Sequence, residues 1–231
     1  MIHFCMVKYG WEVQGEPADE YVRDLVEPVY ENCKDIKFHL LTDRRSDVIP
    51  NYVNYIDLDL DDIKKHEHWV KTYFFDPNFI GAKEEDQTIV VDIDMVWNQE
   101  PNPVIEWPVE KNQFVSMNRW WRDNDVPISG NFYKFNSHDF KEVKQKYLDD
   151  WQNHRKYYYE NGYCTLPNMG EQYFIYDMVK DREIVLQPPE YCMKIHDQKI
   201  PIYKERFDKL TGKDYFHSFH YEAIWHYKAI K

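Results

Sequence analysis

Two aspartates at the end of an apolar run are the strongest chemical signal in the sequence. Residues 88–97 read TIVVDIDMVW, so Asp92 and Asp94 interrupt a stretch that is otherwise typical of a buried strand. Desolvating a carboxylate is costly unless a partner compensates it, and a cation is one such partner. Carboxylate oxygens suit a hard divalent ion such as Mn²⁺ or Mg²⁺, which can in turn clamp a diphosphate. The competing interpretation is a strand end that simply emerges into solvent.

The other D-x-D pairs of the chain lack this context. Asp57/Asp59 and Asp59/Asp61 lie on a stretch of alternating polarity, and Asp123/Asp125 lie in a polar loop. Acidic side chains in such positions usually face water. The pattern therefore predicts a metal or nucleotide role only at residues 92–94.

Composition narrows the classes of partner. The 231 residues carry 41 Asp and Glu against 29 Lys and Arg, a formal charge of −12, which disfavours nucleic acid and anionic membranes as partners. The sequence has neither a long apolar run nor a basic N-terminal leader, so we expect a cytoplasmic protein without an integral membrane segment. The four cysteines are widely spaced and show no metal-binding pattern, which favours reduced structural thiols.

Hydrophobic periodicity predicts the elements that position Asp92 and Asp94. In the first half we predict strands at 2–7, 36–43, 52–60 and 87–97, and helices at 17–33, interrupted or bent at Pro28, and at 62–75. In the second half we predict strands at 113–118, 130–135, 183–188, 191–195 and 214–221, and helices at 139–160 and 171–179. This order predicts an α/β fold, a Rossmann-related sandwich whose mixed, mostly parallel central sheet is flanked by helices. Asp92 and Asp94 then fall at the carboxyl ends of strands, where such sheets bind ligands.

Seven segments, taken in order, resemble the GT-A glycosyltransferases, particularly the glycogenin-like and bacterial galactosyltransferase-like enzymes. They are FCMVKYG, HLLTD, HWVKTYFF, VVDIDMVW, ISGNFYKFN, GEQYFI and FHSFHY. The resemblance implies a single GT-A-like domain over 1–231, with a nucleotide-binding half at 1–100 and a sugar and acceptor half at 101–231. It also implies a nucleoside diphosphate sugar donor, preferentially a UDP-sugar, a Mn²⁺ or Mg²⁺ cofactor, and an acceptor hydroxyl on a glycan, a lipid-linked sugar or a protein.

The same resemblance implies roles for the matching residues. Asp94 would ligate the metal directly, and Asp92 would contact the ribose or reach the metal through water. His220 would be the third metal ligand, with His217 as the competing candidate. The residues implied for the nucleotide and sugar are Lys8, Tyr9, Thr42, Asp43, Lys71, Asp92, Ile93, Ser129 and Gly130.

Within these sets, Tyr9 would border the nucleotide base and Lys8 would lie near the phosphates. The alternative for Lys8 is an exposed lysine at a strand end. Gln172 and Asn131 would orient sugar hydroxyls, and Glu171 would be the carboxylate nearest the anomeric carbon. An inverting enzyme would use Glu171 or another carboxylate as base, and the sequence does not distinguish inversion from retention.

Two positions depart from the family pattern. Glu171 stands where the family usually has Asp, and Tyr221 follows His220 where the family has Gly. The next lysine is Lys228, so a different cation is needed to stabilise the leaving group. The candidates are Lys71, Arg119 and Arg122.

Two other functions compete with sugar transfer. A phosphatase of the haloacid dehalogenase type would use Asp92 as nucleophile and Asp94 as general acid, although its motif usually opens the chain. A non-catalytic carbohydrate- or protein-binding domain would use the aromatic residues, which make up 17% of the chain. Trp120 and Trp121 are candidates for an acceptor platform, and core packing or loop anchoring is the alternative for both.

Overall fold

The computed structural model describes residues 1–10, 12–13, 16–57, 59–121 and 126–194, together with 205, 208–209, 212 and 225–227. Within them the strands are β1 Ile2–Lys8, β2 Glu12–Val13, β3 Glu16–Pro17, β4 Ile36–Thr42, β5 Val53–Asp57, β6 Gln87–Val91, β7 Met95–Trp97, β8 Gln113–Asn118, β9 Ile128–Asn136, β10 Glu183–Gln187, β11 Cys192–Lys194 and β12 Trp225–Tyr227. The α-helices are α1 Ala18–Asn32, α2 Leu60–His66, α3 Pro77–Ile80, α4 Asn102–Ile105, α5 Glu142–Asp149, α6 Trp151–Glu160 and α7 Glu171–Val179. Two 3₁₀ helices span Glu67–Phe75 and Pro189–Tyr191.

A seven-stranded mixed sheet, in the order β10-β8-β9-β6-β1-β4-β5, forms the centre of the fold. Strands β6, β1, β4 and β5 are parallel, as are β10 and β8, whereas β9 is antiparallel to β6 and β8. The predicted α/β class with a mixed, mostly parallel central sheet is therefore confirmed. A second, three-stranded sheet joins β11, β12 and β7, which seats β12 beside the strand that follows Asp94.

Helices cover both faces of the central sheet, which explains why its central strands are apolar at nearly every position. Successive residues of a strand point to opposite faces. Phe4 and Met6 of β1 accordingly pack in one cluster with the apolar side of α1, which includes Leu25. Cys5, between them, packs in a second cluster with the 3₁₀ helix Glu67–Phe75, α5 and α7.

Strands β1, β4 and β6 end at one edge of the sheet. Lys8 at the end of β1 pairs with Thr42 at the end of β4, and Met6 pairs with Val91 at the end of β6. The chain leaves β6 at Asp92, so the predicted D-x-D lies at the carboxyl edge of the parallel strands, where ligands collect in open α/β sheets.

Some predicted strands are shorter than expected. The strand predicted over 87–97 is two strands, β6 and β7, with a turn at residues 92–94 between them. The strand predicted over 52–60 ends at Asp57, because the Asp59 carboxylate accepts a hydrogen bond of 3.0 Å from the Asp61 amide and starts a helical turn. Asp57, Asp59 and Asp61 are exposed, as predicted, and the Asp123/Asp125 pair lies outside the described residues.

Three helix predictions need correction. The helix predicted over 62–75 begins as α2 and changes to a 3₁₀ helix at Glu67, whose φ is +50°. The helix predicted over 139–160 is broken at Asp150, which has φ −148° and ψ 40° and accepts a hydrogen bond from the Asn153 side chain. Conversely, α1 continues through Pro28, so the predicted interruption is absent, because one missing N–H does not remove the apolar face that holds this helix on the sheet, and a bend at Pro28 stays a prediction.

Two expectations from composition can be compared with the described part of the chain. The four cysteines are free thiols there, and Cys5, Cys33 and Cys192 are buried, as predicted for structural residues. None of the described helices combines the length and the apolar character needed to cross a membrane.

Two buried histidines form a hydrogen-bonded chain near the start of β1. His39 Nε2 lies 2.9 Å from His3 Nδ1, and His3 Nε2 lies 3.1 Å from Asp86 Oδ2. A neutral His39 that donates to His3, which donates in turn to Asp86, satisfies both contacts. Burial is the main reason that the pKa of His39 falls to about 3, and the charges of His3 and Lys37 lower it further.

Acid should therefore destabilise the fold through His39. The imidazole of an unfolded chain protonates near pH 6.5, roughly its model value, whereas the folded state keeps His39 neutral. The unfolded state then binds more protons, so the free energy of unfolding falls as the pH drops from about 6.5 towards 3. A His39→Gln variant keeps a polar side chain that does not titrate. Between pH 7 and pH 4 we expect its free energy of unfolding to fall by about 2–3 kcal/mol less than that of the wild type. Urea unfolding at a series of pH values measures this, and parallel pH profiles would contradict it.

Candidate functional site

A cavity of about 510 Å³ opens at the edge where β1 and β6 end. Its walls come from the residues after these strands, the 3₁₀ helix Glu67–Phe75, the segment before α7 and the start of α7. The predicted site residues that line it are Lys8, Tyr9, Lys71, Asp92, Ile93, Asp94, Glu171 and Gln172. Residues far apart in the sequence are thus brought to one place.

The turn that carries the two aspartates is fixed from the neighbouring strand. The Asp92 amide donates a hydrogen bond of 3.0 Å to the Asn131 carbonyl of β9, just after the pairing of β6 with β9 ends. Met95, on the other side of the turn, has its sulfur 3.4 Å from the Asn131 side-chain amide. Asp92 and Asp94 therefore face the cavity from a turn that is anchored at both ends.

Lys71 is the buried cation of the site. Its Nζ contacts the Asp92 carboxylate, lies 3.6 Å from Glu171 Oε1 and donates to the Gly130 carbonyl at 3.3 Å. Burial alone would lower the pKa of Lys71, but the negative charges of Asp92, Glu171 and Asp94 outweigh it and raise the pKa above its ordinary value. Lys71 is therefore charged, and it holds carboxylates from two different segments together.

The Gly-Glu-Gln segment owes its sequence to close packing. Gly170 has φ +114°, and a Cβ there would lie 3.1 Å from the Cβ of Tyr158, so a side chain would strain both the backbone and the packing. The Gln172 side chain donates to the Ile128 carbonyl at 2.5 Å, and a Cβ on Gly130 would lie 3.1 Å from its Oε1. Small residues on both sides thus place Glu171 and Gln172 against the sheet.

The end of β1 decides one of the two interpretations of Lys8, and a contact of Lys8 with phosphates stays a prediction. The side chain is buried rather than exposed, so the strand-end alternative is wrong, and its Nζ is bound by the Asp19 carboxylate of α1. Tyr9 lies beside His68, with its hydroxyl 3.4 Å from the His68 Nδ1. Burial and the nearby charge of Glu67 raise the pKa of Tyr9 to about 12, so this phenol stays neutral at the cavity wall.

Five predicted binding residues are not among those that line the cavity. Thr42 donates to the Arg44 carbonyl at 2.9 Å, and the Asp43 carboxylate accepts from the Gly10 amide at 3.3 Å, which holds the loop after β1. Ser129 is buried, and its amide donates to the Ser116 hydroxyl at 3.0 Å. Gly130 and Asn131 take part through the carbonyl contacts described above. A direct contact of these five with a ligand stays a prediction.

The three candidates for stabilising the leaving group are placed differently. Lys71 and Arg119 both line the cavity, and the Arg119 guanidinium lies 5.6 Å from the centre of the Tyr173 ring. Arg122 lies outside the described residues.

Many residues of the cavity wall were not predicted from the sequence. The unpredicted lining residues are Val7, His68, Tyr163, Cys164, Thr165, Met169, Gly170 and Tyr173. Most belong to the connection between α6 and α7, which has no hydrophobic periodicity to mark it. The only available signal was the position of Gly170 and Tyr173 on either side of the Glu171-Gln172 pair.

Two residues of the described cavity have the chemistry of divalent-cation ligands. Asp92 and Asp94 offer carboxylate oxygens, the donors that Mn²⁺ and Mg²⁺ prefer, and Asp92 retains a partly exposed side chain beside Lys71. Among the residues that are described, no three His, Cys, Asp or Glu side chains are grouped as a metal would require. His220 and His217, predicted as the third ligand, lie outside that part of the chain, as does Lys228.

The two tryptophans proposed as an acceptor platform belong to the core. Trp120 and Trp121 are buried, and the Trp120 indole donates to the Cys192 carbonyl at 2.8 Å. Both rings pack in the cluster that contains α1, so the core-packing alternative is the correct one.

Comparison of the sequence with protein families finds no matching family model, and no curated protein matches it. Solved structures do match its fold. The glycosyltransferase GlyE of Streptococcus pneumoniae TIGR4 aligns with a TM-score of 0.63 at 13% identity, over 99% of this chain and 55% of the GlyE chain. This chain therefore spans about half the length of GlyE.

Two further glycosyltransferases are similar over most of their length. The galactosyltransferase LgtC, solved with donor and acceptor sugar analogues, has a TM-score of 0.63 at 10% identity, over 98% of this chain and 87% of LgtC. Mouse xyloside xylosyltransferase 1 has a TM-score of 0.58 at 10% identity, over 98% of this chain and 96% of the mouse chain. These likenesses show that the chain has the GT-A fold.

Proposed function

We propose that this chain, which has the GT-A fold, is a metal-dependent glycosyltransferase that moves a sugar from a nucleoside diphosphate sugar, preferentially a UDP-sugar, to an acceptor hydroxyl. The observation that supports this most is the convergence of Asp92, Asp94 and Glu171 with the buried Lys71 in one cavity at the carboxyl edge of the parallel strands. The solved proteins named above, which have the same fold, are glycosyltransferases, and this supports the proposal as well.

The proposed reaction breaks the bond between the anomeric carbon and a diphosphate oxygen and forms a bond from that carbon to the acceptor oxygen. The acceptor proton passes to a base, and the departing diphosphate gains negative charge. A divalent cation held by Asp92 and Asp94, with His220 as the proposed third ligand, would supply Lewis-acid stabilisation of that charge when bound. The positive side chains that line the described cavity are Lys8, Lys71 and Arg119, and Lys8 is already paired with Asp19.

We also propose roles for the remaining residues. The Gln172 amide nitrogen is held by the Ile128 carbonyl, which leaves its oxygen to accept a hydrogen bond from a sugar hydroxyl. Asn131 would do the same from β9. We place Glu171 nearest the anomeric carbon, because it is the carboxylate that α7 presents to the cavity. Tyr9 would border the nucleotide base.

The first test is a thermal-shift screen of UDP, GDP, CDP and TDP, each with Mn²⁺ and with a chelator. A ligand that binds only the folded state stabilises it, by about 2.7 kcal/mol at a concentration of 100 Kd. We expect one nucleotide, UDP by preference, to raise the melting temperature in the presence of Mn²⁺ and not in the presence of chelator.

Other outcomes of this screen would favour the competing functions. Stabilisation by Mg²⁺ with a phosphate mimic, and by no nucleotide, would favour the phosphatase, although Asp92 follows the sixth strand of the chain rather than the first. No response to any nucleotide or phosphate mimic would favour the non-catalytic binding domain and overturn the proposed transfer.

A further inference from the structure

A row of three tyrosine rings runs from the protein surface into the cavity. The ring centres of Tyr157 in α6 and Tyr163 are 6.0 Å apart, and those of Tyr163 and Tyr173 in α7 are 5.4 Å apart. Tyr163 and Tyr173 line the cavity, and Arg119 lies against the ring of Tyr173 at its inner end. We call Tyr157, Tyr163 and Tyr173 the tyrosine row.

The outer part of the row is exposed although it is aromatic. Tyr157 is 51% exposed and Tyr163 is 44% exposed, and Leu166 and Met169, in the connection between α6 and α7, are 49% and 38% exposed. Large apolar side chains grouped at the surface commonly mark a binding site. Since Met169 also lines the cavity, this patch and the proposed catalytic cavity form one continuous surface.

We infer that the tyrosine row is the acceptor subsite and that it binds a neutral oligosaccharide, whose sugar rings lie along the tyrosines with the reactive hydroxyl in the cavity. This inference rests on the proposed function and adds the class of acceptor. A pyranose ring has an apolar C–H face and a polar rim, and a tyrosine offers an apolar ring with a hydroxyl at its edge, so the two are complementary.

The number of rings and the charge of the surface support an oligosaccharide that carries no negative charge. Three neighbouring rings, with centre-to-centre distances of 6.0 and 5.4 Å, offer contacts to more than one sugar. The formal charge of the chain is −12, and the carboxylates Asp92, Asp94 and Glu171 line the same cavity. A sialylated or phosphorylated acceptor would be repelled by this field.

The test measures binding to an array of neutral oligosaccharides of two to six units and their sialylated and phosphorylated counterparts, in the presence of Mn²⁺ and the stabilising nucleotide. We expect the wild type to bind neutral members. Tyr157→Ala should weaken that binding by about fivefold to tenfold, and Tyr157→Phe should restore most of it, because the ring provides the main contact.

Tyr159→Ala is the matched control, since Tyr159 lies on the same helix and is 45% exposed. Three results would overturn the inference. They are binding to anionic members only, binding to no member of the array, and equal losses of binding in the Tyr157→Ala and Tyr159→Ala variants. Nucleotide stabilisation and acceptor-independent hydrolysis of the donor are measured on the same variants. If the wild type shows neither, the proposed function itself fails. If both persist and the array result is negative, only the acceptor assignment fails.

Discussion

An Asp94→Asn variant should transfer sugar from the nucleotide sugar about a thousandfold more slowly than the wild type, a loss of roughly 4 kcal/mol of transition-state stabilisation. Asp94 faces the cavity from the turn between β6 and β7 and is the residue proposed to ligate the metal directly. An amide keeps the size of the side chain but lacks its negative charge, so the affinity for Mn²⁺ should fall together with turnover. Initial rates over a range of Mn²⁺ concentrations measure both.

The control for Asp94→Asn comes from another D-x-D pair. Asp61 is exposed at the start of α2, outside the cavity, so Asp61→Asn removes one charge from the same kind of motif and should leave turnover and its Mn²⁺ dependence unchanged. The melting temperature of Asp94→Asn should stay close to that of the wild type. Wild-type rates in Asp94→Asn would refute the metal assignment at this residue, and equal losses in both variants would point to a general effect of net charge.

The sheet could be predicted from the sequence because its strands are buried on both faces. A largely apolar run such as residues 2–7 or 87–91 has few alternatives to a buried strand. The helix at 171–179 was predicted with the bounds that the structure shows. The break at Asp150 and the 3₁₀ geometry after Glu67 were not predictable. The 3₁₀ helix packs through contacts between distant parts of the chain, as when Trp69 stacks on Tyr147 of α5 with ring centres 5.1 Å apart, and no local pattern reveals such contacts.

The candidate site was predictable where chemistry and strand ends coincide. Asp92 and Asp94 are charged residues in an otherwise apolar run, and they lie at the carboxyl ends of parallel strands, where such sheets bind ligands. Lys8 lies at such an end too, but its burial against Asp19 depends on the packing of α1, which no local pattern reveals. The tyrosine row escaped prediction because its members come from two helices and the irregular connection between them.

Lys71 and Lys134 show why residue type alone does not give the role of a buried lysine. Both are buried near the central sheet, yet their environments shift the pKa in opposite directions. Burial lowers the pKa of Lys134 to about 8, and its Nζ donates to the carbonyls of Ile105 and Trp107 at 2.7 and 2.5 Å. For Lys71 the surrounding carboxylates outweigh burial and raise the pKa.

A Lys71→Met variant should therefore lose about 3 kcal/mol of stability at pH 7, because removing one partner of a buried ion pair leaves the other charge uncompensated. Methionine fills similar space, but Asp92 and Glu171 lose the cation between them and the Gly130 carbonyl loses its donor. Urea unfolding of the variant and the wild type at pH 7 measures this loss.

A double-mutant cycle separates this charge effect from simple loss of packing. Adding Asp92→Asn to Lys71→Met removes the stranded charge, so we expect the double variant to recover about 1–2 kcal/mol relative to Lys71→Met, a coupling typical of residues in contact. Lys134→Met is the matched control, because its Nζ is held by carbonyls. Asp92→Asn should restore nothing in that background. Equal recovery in both backgrounds, or none in either, would contradict an ion pair between Lys71 and Asp92. Recovery confined to the Lys71→Met background means that this pair fixes the carboxylates of the cavity before any ligand binds.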